Sequence, residues 1–227
     1  EDRKIRCHKT QGHGSETFKQ GVMNSCNPVF MEIGARVGAK DMLRYYHKLG
    51  LYERTGVDLP GEANSIMHKL DKIGAVELAT MSFGQSIQIT PLQLMRAVSA
   101  GINGGRLVTP HFALEKKNPV TKEITEYEYK EKAGAVSKET SQTLREVLEA
   151  VVVEGYRVGG KTATSEKLPR RSGKYISSFL GFAPANHPKI LGLVLIDEPQ
   201  GTYYGGVIAA PVMAEIFQNV LPYLDNL

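Results

Sequence analysis

The spacing of apolar residues divides the chain into a mostly helical part and a later part rich in β-strand residues. Over the first two thirds, apolar residues recur at helical spacing and are bounded by capping residues, Gly or Pro. Thr90 followed by Pro91 is typical of a helix N-terminus, and Asn103-Gly-Gly105 ends that helix. Helices are predicted over residues 17–24, 28–37, 41–49, 72–81, 90–102 and 137–153.

Three segments in the last third favour β-strands because they are rich in β-branched and aromatic residues. They span residues 156–164, 175–183 and 189–197, with connections short enough for hairpins. An antiparallel sheet is therefore predicted here, with a smaller β segment between residues 107 and 129. A closing helix is predicted over residues 207–224, where apolar residues recur every four positions, at Val212, Ile216, Val220 and Leu224.

These elements predict an α+β fold, in which a mostly helical portion precedes an antiparallel sheet flanked by helices. The 227 residues fit one domain over 1–227. Hydrophobic residues make up 41% of the chain and charged residues 23%, which indicates a folded body and argues against disorder.

The charge pattern argues against a nucleic-acid partner. The net charge of +4 comes from scattered Lys and Arg, and residues 167–174 are the densest basic stretch. No aromatic side chains interleave those charges for base stacking, so a solvated loop is predicted. No run approaches the roughly 18 apolar residues of a membrane helix. A first residue other than Met is typical of a fragment, so the lack of a signal peptide says little about the natural protein.

One glycine-rich segment matches a phosphate-binding pattern letter for letter. Gly155-Tyr-Arg-Val-Gly-Gly160-Lys161-Thr162 satisfies Gly-x4-Gly-Lys-Thr, which requires a loop between a strand and a helix. The residues after Gly155 are strand-like, however, and Pro169 follows instead of a long helix. A nucleotide-binding loop is therefore the less favoured interpretation.

Two triplets support a different chemistry, that of serine acyl-transferases. These enzymes combine Ser-x-x-Lys, Ser-x-Asn and Lys-Thr-Gly elements. Ser25-Cys26-Asn27 supplies the second element at a corner between predicted helices, and Lys161-Thr162-Ala163 resembles the third on a predicted strand. Each triplet is weak alone, because Ser25 and Asn27 are also ordinary helix-capping residues. Their order and their settings are more specific together.

The likeness extends along nearly the whole chain. With these triplets, a series of short blocks in the right order resembles class B penicillin-binding proteins, in particular the monofunctional elongation-type and sporulation-type enzymes of Gram-positive bacteria. The blocks are Gly12-His-Gly14, Asn24-Ser-Cys-Asn27, Thr55-Gly-Val-Asp-Leu-Pro-Gly-Glu62, Ser82-Phe-Gly-Gln85, Thr90-Pro-Leu-Gln-Leu94, Asn103-Gly-Gly105, Ser178-Phe-Leu-Gly-Phe-Ala-Pro184 and Tyr203-Tyr-Gly-Gly206.

This resemblance implies a penicillin-binding transpeptidase or serine β-lactamase-like fold and a D,D-transpeptidase reaction. A serine would attack the penultimate D-Ala carbonyl of a peptidoglycan stem peptide, release the terminal D-Ala, and pass the acyl group to an amine of a neighbouring stem. The implied partners are stem peptides, β-lactam antibiotics and a glycosyltransferase of a wall-synthesis complex. The implied location is outside the cell membrane, anchored by an amino-terminal segment absent from this chain.

The resemblance also implies roles for individual residues. Ser25 would relay protons, Asn27 would hydrogen-bond the amide side chain of the substrate, and Lys161 would supply positive charge. Thr162 would contact the substrate carboxylate, and the backbone N–H of Thr164 would be one oxyanion-hole donor. The acyl transfer itself would require no cofactor.

Two departures from the family pattern stand out. No Ser in this chain has Lys three residues later; in Ser15-Glu-Thr-Phe-Lys19 the lysine comes one position too late. The nucleophile, with the strands that complete the sheet, is therefore expected upstream of Glu1. Ala163 replaces the expected Gly, and its methyl group would narrow the substrate groove.

The cysteines suggest a separate metal hypothesis. Cys7, His13 and Cys26 offer zinc ligands, with Asp2 as a weaker fourth, although Cys-x5-His-x12-Cys is not a standard finger spacing. A disulfide between Cys7 and Cys26, suited to an extracytoplasmic protein, and two free thiols are the alternatives.

Rival functions remain open on the same residues. A serine β-lactamase or carboxypeptidase would share this fold and differ in fast hydrolysis of the acyl-enzyme. A penicillin-sensing receptor or scaffold domain would share the fold without catalysis.

Overall fold

The computed structural model describes residues 5–149, 157–169 and 172–225. Its contacts divide the chain into two compact units, one formed by Met31–Ser141 and the other by Glu1–Phe30 together with Gln142–Leu227. The assignment of residues 1–227 to a single domain stays a prediction.

The predicted helices are present, although residues 150–153 of the helix predicted over 137–153 lie outside the described residues. They are α1 Phe18–Met23, α2 Asn27–Lys48, α3 Ala75–Ser82, α4 Pro91–Ile102 and α5 Lys138–Glu149. Gly38, with φ +77°, breaks α2 where the sequence predicts two separate helices. Thr90 caps α4, since its hydroxyl accepts the Gln93 N–H at 3.1 Å while the Gln93 side chain accepts the Thr90 N–H at 2.9 Å. Only α3 begins clearly later than predicted, after a short 3₁₀ turn over Leu70–Lys72.

The unit Met31–Ser141 packs around Ala100, Leu107 and Ala135, with Leu49 at the edge of this cluster. It also carries the predicted small β segment as a two-stranded antiparallel hairpin, β1 Glu115–Lys117 and β2 Ile124–Glu126. Arg96 is buried in this unit, where its guanidinium donates to the Val108 carbonyl at 3.0 Å.

The other unit contains the predicted antiparallel sheet, which confirms the α+β assignment. Strands β3 Gly159–Glu166, β4 Tyr175–Ala183 and β5 Ile190–Asp197 lie in the order β3-β4-β5. The strand predicted over 156–164 begins later, at residue 159, and ends at residue 166, while residue 156 lies outside the described residues. In this register Lys161 is opposite Leu180, and Phe179 is opposite Val194.

The free edge of β5 agrees with the prediction that the sheet is incomplete in this chain. Val194 and Ile196 on one face pack against the core, while Leu193 and Leu195 project from the other face. A strand that is apolar on both faces is typical of the interior of a sheet rather than of its edge. Within the described part of the chain, β5 pairs with β4 alone.

The closing helix forms as α6 Gly205–Ile208 and α7 Ala210–Asp225, but its buried stripe differs from the expected one. Met213, Phe217 and Leu221 pack on the sheet, whereas Val212 and Ile216 are exposed. The stripe is shifted by one residue because α7 carries apolar residues on two adjacent faces, and the sheet covers only one of them.

Contrary to the expectation from the apolar runs, one stretch of the described chain is long and apolar enough to cross a membrane. This stretch is Gly205–Leu224, and the criterion is length and composition only. Helices in the core of a domain meet the same criterion, and α7 packs on the sheet through Phe217.

Candidate active site

Ser25 lies in a strained turn at the end of α1. The N–H of Cys26 bonds to the Gly21 carbonyl at 2.9 Å, and the N–H of Ser25 bonds to the Val22 carbonyl at 3.2 Å. This pair of bonds is the Schellman motif, which places the residue after the helix cap in the left-handed region. Ser25 has φ +47° there, at a position where glycine is usual.

This geometry predicts a measurable strain at Ser25. Both Ser25→Gly and Ser25→Ala lose the hydroxyl, but only glycine relieves the left-handed backbone. The free energy of unfolding of Ser25→Gly should therefore exceed that of Ser25→Ala by about 1 kcal/mol, measured by urea denaturation. Equal stability of the two variants would mean that the positive φ is not maintained in solution.

Lys161 meets Ser25 across the unit, although 136 positions separate them in the sequence. Its ammonium contacts the Ser25 hydroxyl oxygen and also donates to the Thr162 carbonyl at 3.0 Å. Lys161 is half-buried, and this burial lowers the pKa of its ammonium. A hydroxyl in direct contact with such an amine is placed to exchange a proton with it.

The other predicted site residues lie at the same corner or on the same strand. Asn27 begins α2, and its side-chain amide donates to the Arg6 carbonyl at 3.3 Å. On β3, Thr162 is half-buried, while Ala163 and Thr164 are exposed. The structure therefore brings Ser25 and Lys161 into contact. The side chain of Ser25 bonds to Lys161 and that of Asn27 to the Arg6 carbonyl, so these bonds are not helix caps of α2.

The nucleotide-binding interpretation is not supported. Gly160, Lys161 and Thr162 lie in extended strand β3, paired with β4, and the next element is a strand rather than a helix. Gly155, which begins the matching pattern, lies outside the described residues.

The predicted metal ligands form a cluster beside Ser25. Metal-binding atoms of Cys7, His13 and Cys26 all lie within 4.8 Å of one another. Both cysteines are free thiols, and Cys7 Sγ lies 3.6 Å from His13 Nδ1. Asp2, the predicted fourth ligand, lies outside the described residues.

Glu16 is a member of this cluster that the sequence patterns did not single out. Its side chain is only 4% exposed, and its Oε2 lies 3.9 Å from His13 Nδ1. Oε1 accepts a hydrogen bond from Asn24, whereas the buried Oε2 has no hydrogen-bond donor among the described residues. The one available signal was its position three residues after His13, at the start of a predicted helix.

Two groups in the cluster have shifted pKa values. Burial, reinforced by the neighbouring Glu16 carboxylate, raises the pKa of the Cys26 thiol to about 11. The hydrogen bond from Asn24 contributes most to lowering the pKa of the Glu16 carboxyl. Without a metal, Cys26 is therefore a protonated thiol and Glu16 an ionised carboxylate at neutral pH.

Comparison with known proteins gives consistent matches. The family model described as penicillin binding protein transpeptidase domain matches residues 1–218. Stage V sporulation protein D of Bacillus subtilis is 43% identical over 97% of this chain, and a probable peptidoglycan D,D-transpeptidase, PenA, of Neisseria meningitidis is 35% identical over 90%. The chain spans 36% of the length of each of these relatives.

A solved structure agrees with these matches. The transpeptidase domain of penicillin-binding protein 3 from Burkholderia pseudomallei superimposes with a TM-score of 0.79 at 30% identity, over 94% of this chain and 66% of that one. The restriction to Gram-positive bacteria stays a prediction.

Proposed function

Since this chain belongs to the penicillin-binding protein transpeptidase family, we propose that it forms part of a serine D,D-transpeptidase that cross-links peptidoglycan stem peptides and is acylated by β-lactams. The observation that carries the proposal is the contact between Lys161 and Ser25, with Asn27 at the same corner. The name of the Neisseria meningitidis relative, a probable peptidoglycan D,D-transpeptidase, supports the same activity.

In the proposed reaction, a serine hydroxyl adds to the penultimate D-Ala carbonyl and its proton passes to the departing amine of the terminal D-Ala. The acyl-enzyme then reacts with an amine of a second stem peptide, which forms the cross-link and regenerates the serine. The family's nucleophile stands three residues before a lysine, a pattern that none of the 227 residues forms. The proposal therefore requires a nucleophilic serine outside this sequence.

Lys161 and Ser25 would stabilise charge and transfer protons in both steps. Burial places Lys161 in a setting where its charge acts with little solvent screening. Its ammonium would favour ionised partners and attract the substrate carboxylate, while the Ser25 hydroxyl would pass a proton between Lys161 and the nucleophile's lysine.

The strand β3 would form one wall of the substrate groove. The Thr164 N–H would donate to the developing oxyanion, and the Thr162 hydroxyl would contact the substrate carboxylate. Asn27 would exchange its bond to the Arg6 carbonyl for one to the substrate amide. Exposed Ala163 would add a methyl group where the family has glycine, and so would narrow the groove for bulky substrates.

The intact mass of the full-length natural protein, before and after incubation with a fluorescent penicillin, tests this function. One stable adduct, mapped to a serine followed three residues later by lysine, is the expected result. An adduct that hydrolyses within minutes would favour a β-lactamase or carboxypeptidase. No adduct on a folded protein would favour a non-catalytic sensor or scaffold.

The proposal extends to location and partners. We place the protein outside the cell membrane, held by an amino-terminal anchor, with a glycosyltransferase as its partner in wall synthesis and a β-lactam resistance phenotype as one consequence of altered penicillin binding. Separation of cell membranes from cytosol, followed by labelling with fluorescent penicillin, tests the location, and a cytosolic label would contradict it.

We also propose that the cluster beside Ser25 binds one zinc ion. Two thiolates, an imidazole and a carboxylate form a set that zinc accepts in tetrahedral geometry, with bonds of about 2.0–2.3 Å. The thiols of Cys7 and Cys26 would release their protons to solvent as the ion binds. Cys7, His13 and Cys26 already lie close enough to share one ion, and the unpartnered Glu16 oxygen would be the fourth ligand. The ion would hold the Cys26 corner in place, and no chemical step would pass through it.

Metal analysis of the purified protein tests the zinc proposal. One zinc ion per chain should survive dialysis in metal-free buffer, and the ion should be lost in Cys7→Ser and weakened about tenfold or more in Glu16→Gln. Glu32→Gln, which removes a carboxylate that pairs with Arg36 on the surface, is the control and should retain zinc. A metal-free protein whose non-reduced mass is two hydrogen atoms below its reduced mass would contradict the zinc proposal and indicate a Cys7–Cys26 disulfide instead.

A further inference from the structure

The connection between β5 and α6, which ends at Gly205, lies against β3, the strand that carries Lys161 and Thr164. Gly205 lies so close to β3 and β4 that a Cβ there would collide with the backbone carbonyl of Ser178 and lie 2.6 Å from that of Ala163. Only glycine fits such an approach. The position of this connection is therefore coupled directly to the backbone of β3.

Two hydroxyl groups hold the connection at the Tyr203 carbonyl. Thr164 and Ser177 are opposite each other in the β3–β4 register, so their side chains lie on the same face of the sheet. The Ser177 hydroxyl donates to the Tyr203 carbonyl, and the Thr164 hydroxyl lies 3.5 Å from the same oxygen. The Thr164 hydroxyl also accepts the Gly205 N–H at 3.2 Å.

An aromatic contact adds a third attachment. The rings of Tyr175 and Tyr203 stack with centroids 4.1 Å apart and planes within 8°. Tyr175 lies two residues before Ser177 and so projects from the same face of β4. The hydroxyl and ring contacts therefore converge on Tyr203, and the close backbone approach lies two residues later, at Gly205.

The burial of Ser177 indicates that this position requires a hydroxyl group, the one that bonds to the Tyr203 carbonyl. Ser177 is 0% exposed, and the neighbouring strand residues Phe179 and Leu180 are buried hydrophobic side chains. A buried hydroxyl costs free energy unless it is hydrogen-bonded, so alanine would be the simpler choice if packing alone mattered.

We propose that Ser177 is a positioning residue for acyl transfer: by anchoring Tyr203 beneath β3, it sets the position of the Thr164 backbone N–H that would bind the oxyanion. The inference rests on the proposed function. Among the described strands, β3 pairs with β4 alone, and its segment from Ala163 to Ser165 is exposed. The anchored connection therefore supports the part of β3 that the chemistry would use.

Ser177→Ala in the full-length protein tests this role, with Ser141→Ala as the matched control. Ser141 is also 0% exposed, and its hydroxyl accepts the Gly104 N–H at 2.9 Å in the other unit. For acylation by penicillin, Ser177→Ala should lower the acylation rate constant about tenfold with less than about a twofold change in the preceding dissociation constant. Ser141→Ala should lose about as much thermal stability as Ser177→Ala and should keep the wild-type acylation rate constant.

A second measurement does not depend on activity. Hydrogen exchange over residues 163–165 should accelerate in Ser177→Ala and stay unchanged in Ser141→Ala, because only the first variant releases the connection. Equal rate constants for the two variants, or unchanged exchange in Ser177→Ala, would overturn the positioning role. If the wild-type protein forms no adduct, the proposed function fails and the positioning role of Ser177 in acyl transfer fails with it, even where the exchange result shows that Ser177 anchors Tyr203.

Discussion

Replacing Lys161 with methionine should slow penicillin acylation of the full-length protein by about a thousandfold. Methionine keeps most of the apolar stem of the side chain and removes the ammonium that contacts Ser25. The loss should appear in the acylation rate constant, since the proposed role of Lys161 is to stabilise charge and direct protons as the serine attacks. Stopped-flow measurement with a fluorescent penicillin separates this constant from initial binding.

A lysine on another strand is the control for this variant. Lys116 is exposed on β1, so Lys116→Met removes the same charge far along the sequence from the proposed site and should acylate at the wild-type rate. If Lys161→Met also acylated at the wild-type rate, the ammonium would have no part in the chemistry.

The pH dependence of acylation gives an independent test of the same group. Burial lowers the pKa of Lys161, and the proposed role requires the protonated amine. The alkaline decline in rate should therefore occur below the usual range of a lysine pKa and should disappear in Lys161→Met, whose residual rate lacks that titration. A decline at the same pH in both proteins would assign it to another group.

The second large effect concerns α7, where Phe217→Ala should lower the free energy of unfolding by about 3–5 kcal/mol. Phe217 is buried among Phe179, Met213 and Leu221, so its removal leaves a cavity against the sheet. Ile216, its neighbour in the sequence, is 41% exposed. Ile216→Ala should therefore cost less than about 1 kcal/mol.

Urea denaturation of the two variants compares the faces of α7 directly. A large difference confirms that the 213, 217 and 221 stripe is the packed one. If Ile216→Ala cost as much as Phe217→Ala, α7 would be covered on both faces in solution, and the second apolar face would belong to a buried contact.

The sequence by itself determined the elements whose signals are local. Thr90 caps α4 as the Thr90-Pro91 pair predicts, and Thr17 forms the same kind of capping box with Gln20. Strands β4 and β5 follow their β-branched and aromatic runs almost to the residue. These features depend on neighbours within a few positions of the sequence. The bounds and the order of these elements could therefore be predicted, together with the motifs that lie on them.

The tertiary structure alone decided which distant groups meet. The family resemblance places Ser25 and Lys161 in one site, but their direct contact, like the bond between Ser177 and Tyr203, joins segments that no local pattern connects. The buried face of α7 was likewise ambiguous, because two adjacent stripes are apolar and only packing against the sheet selects Phe217 over Ile216. Interactions between near neighbours in the sequence set the backbone of each element. The burial and the partners of its side chains depend on which distant segments pack against it.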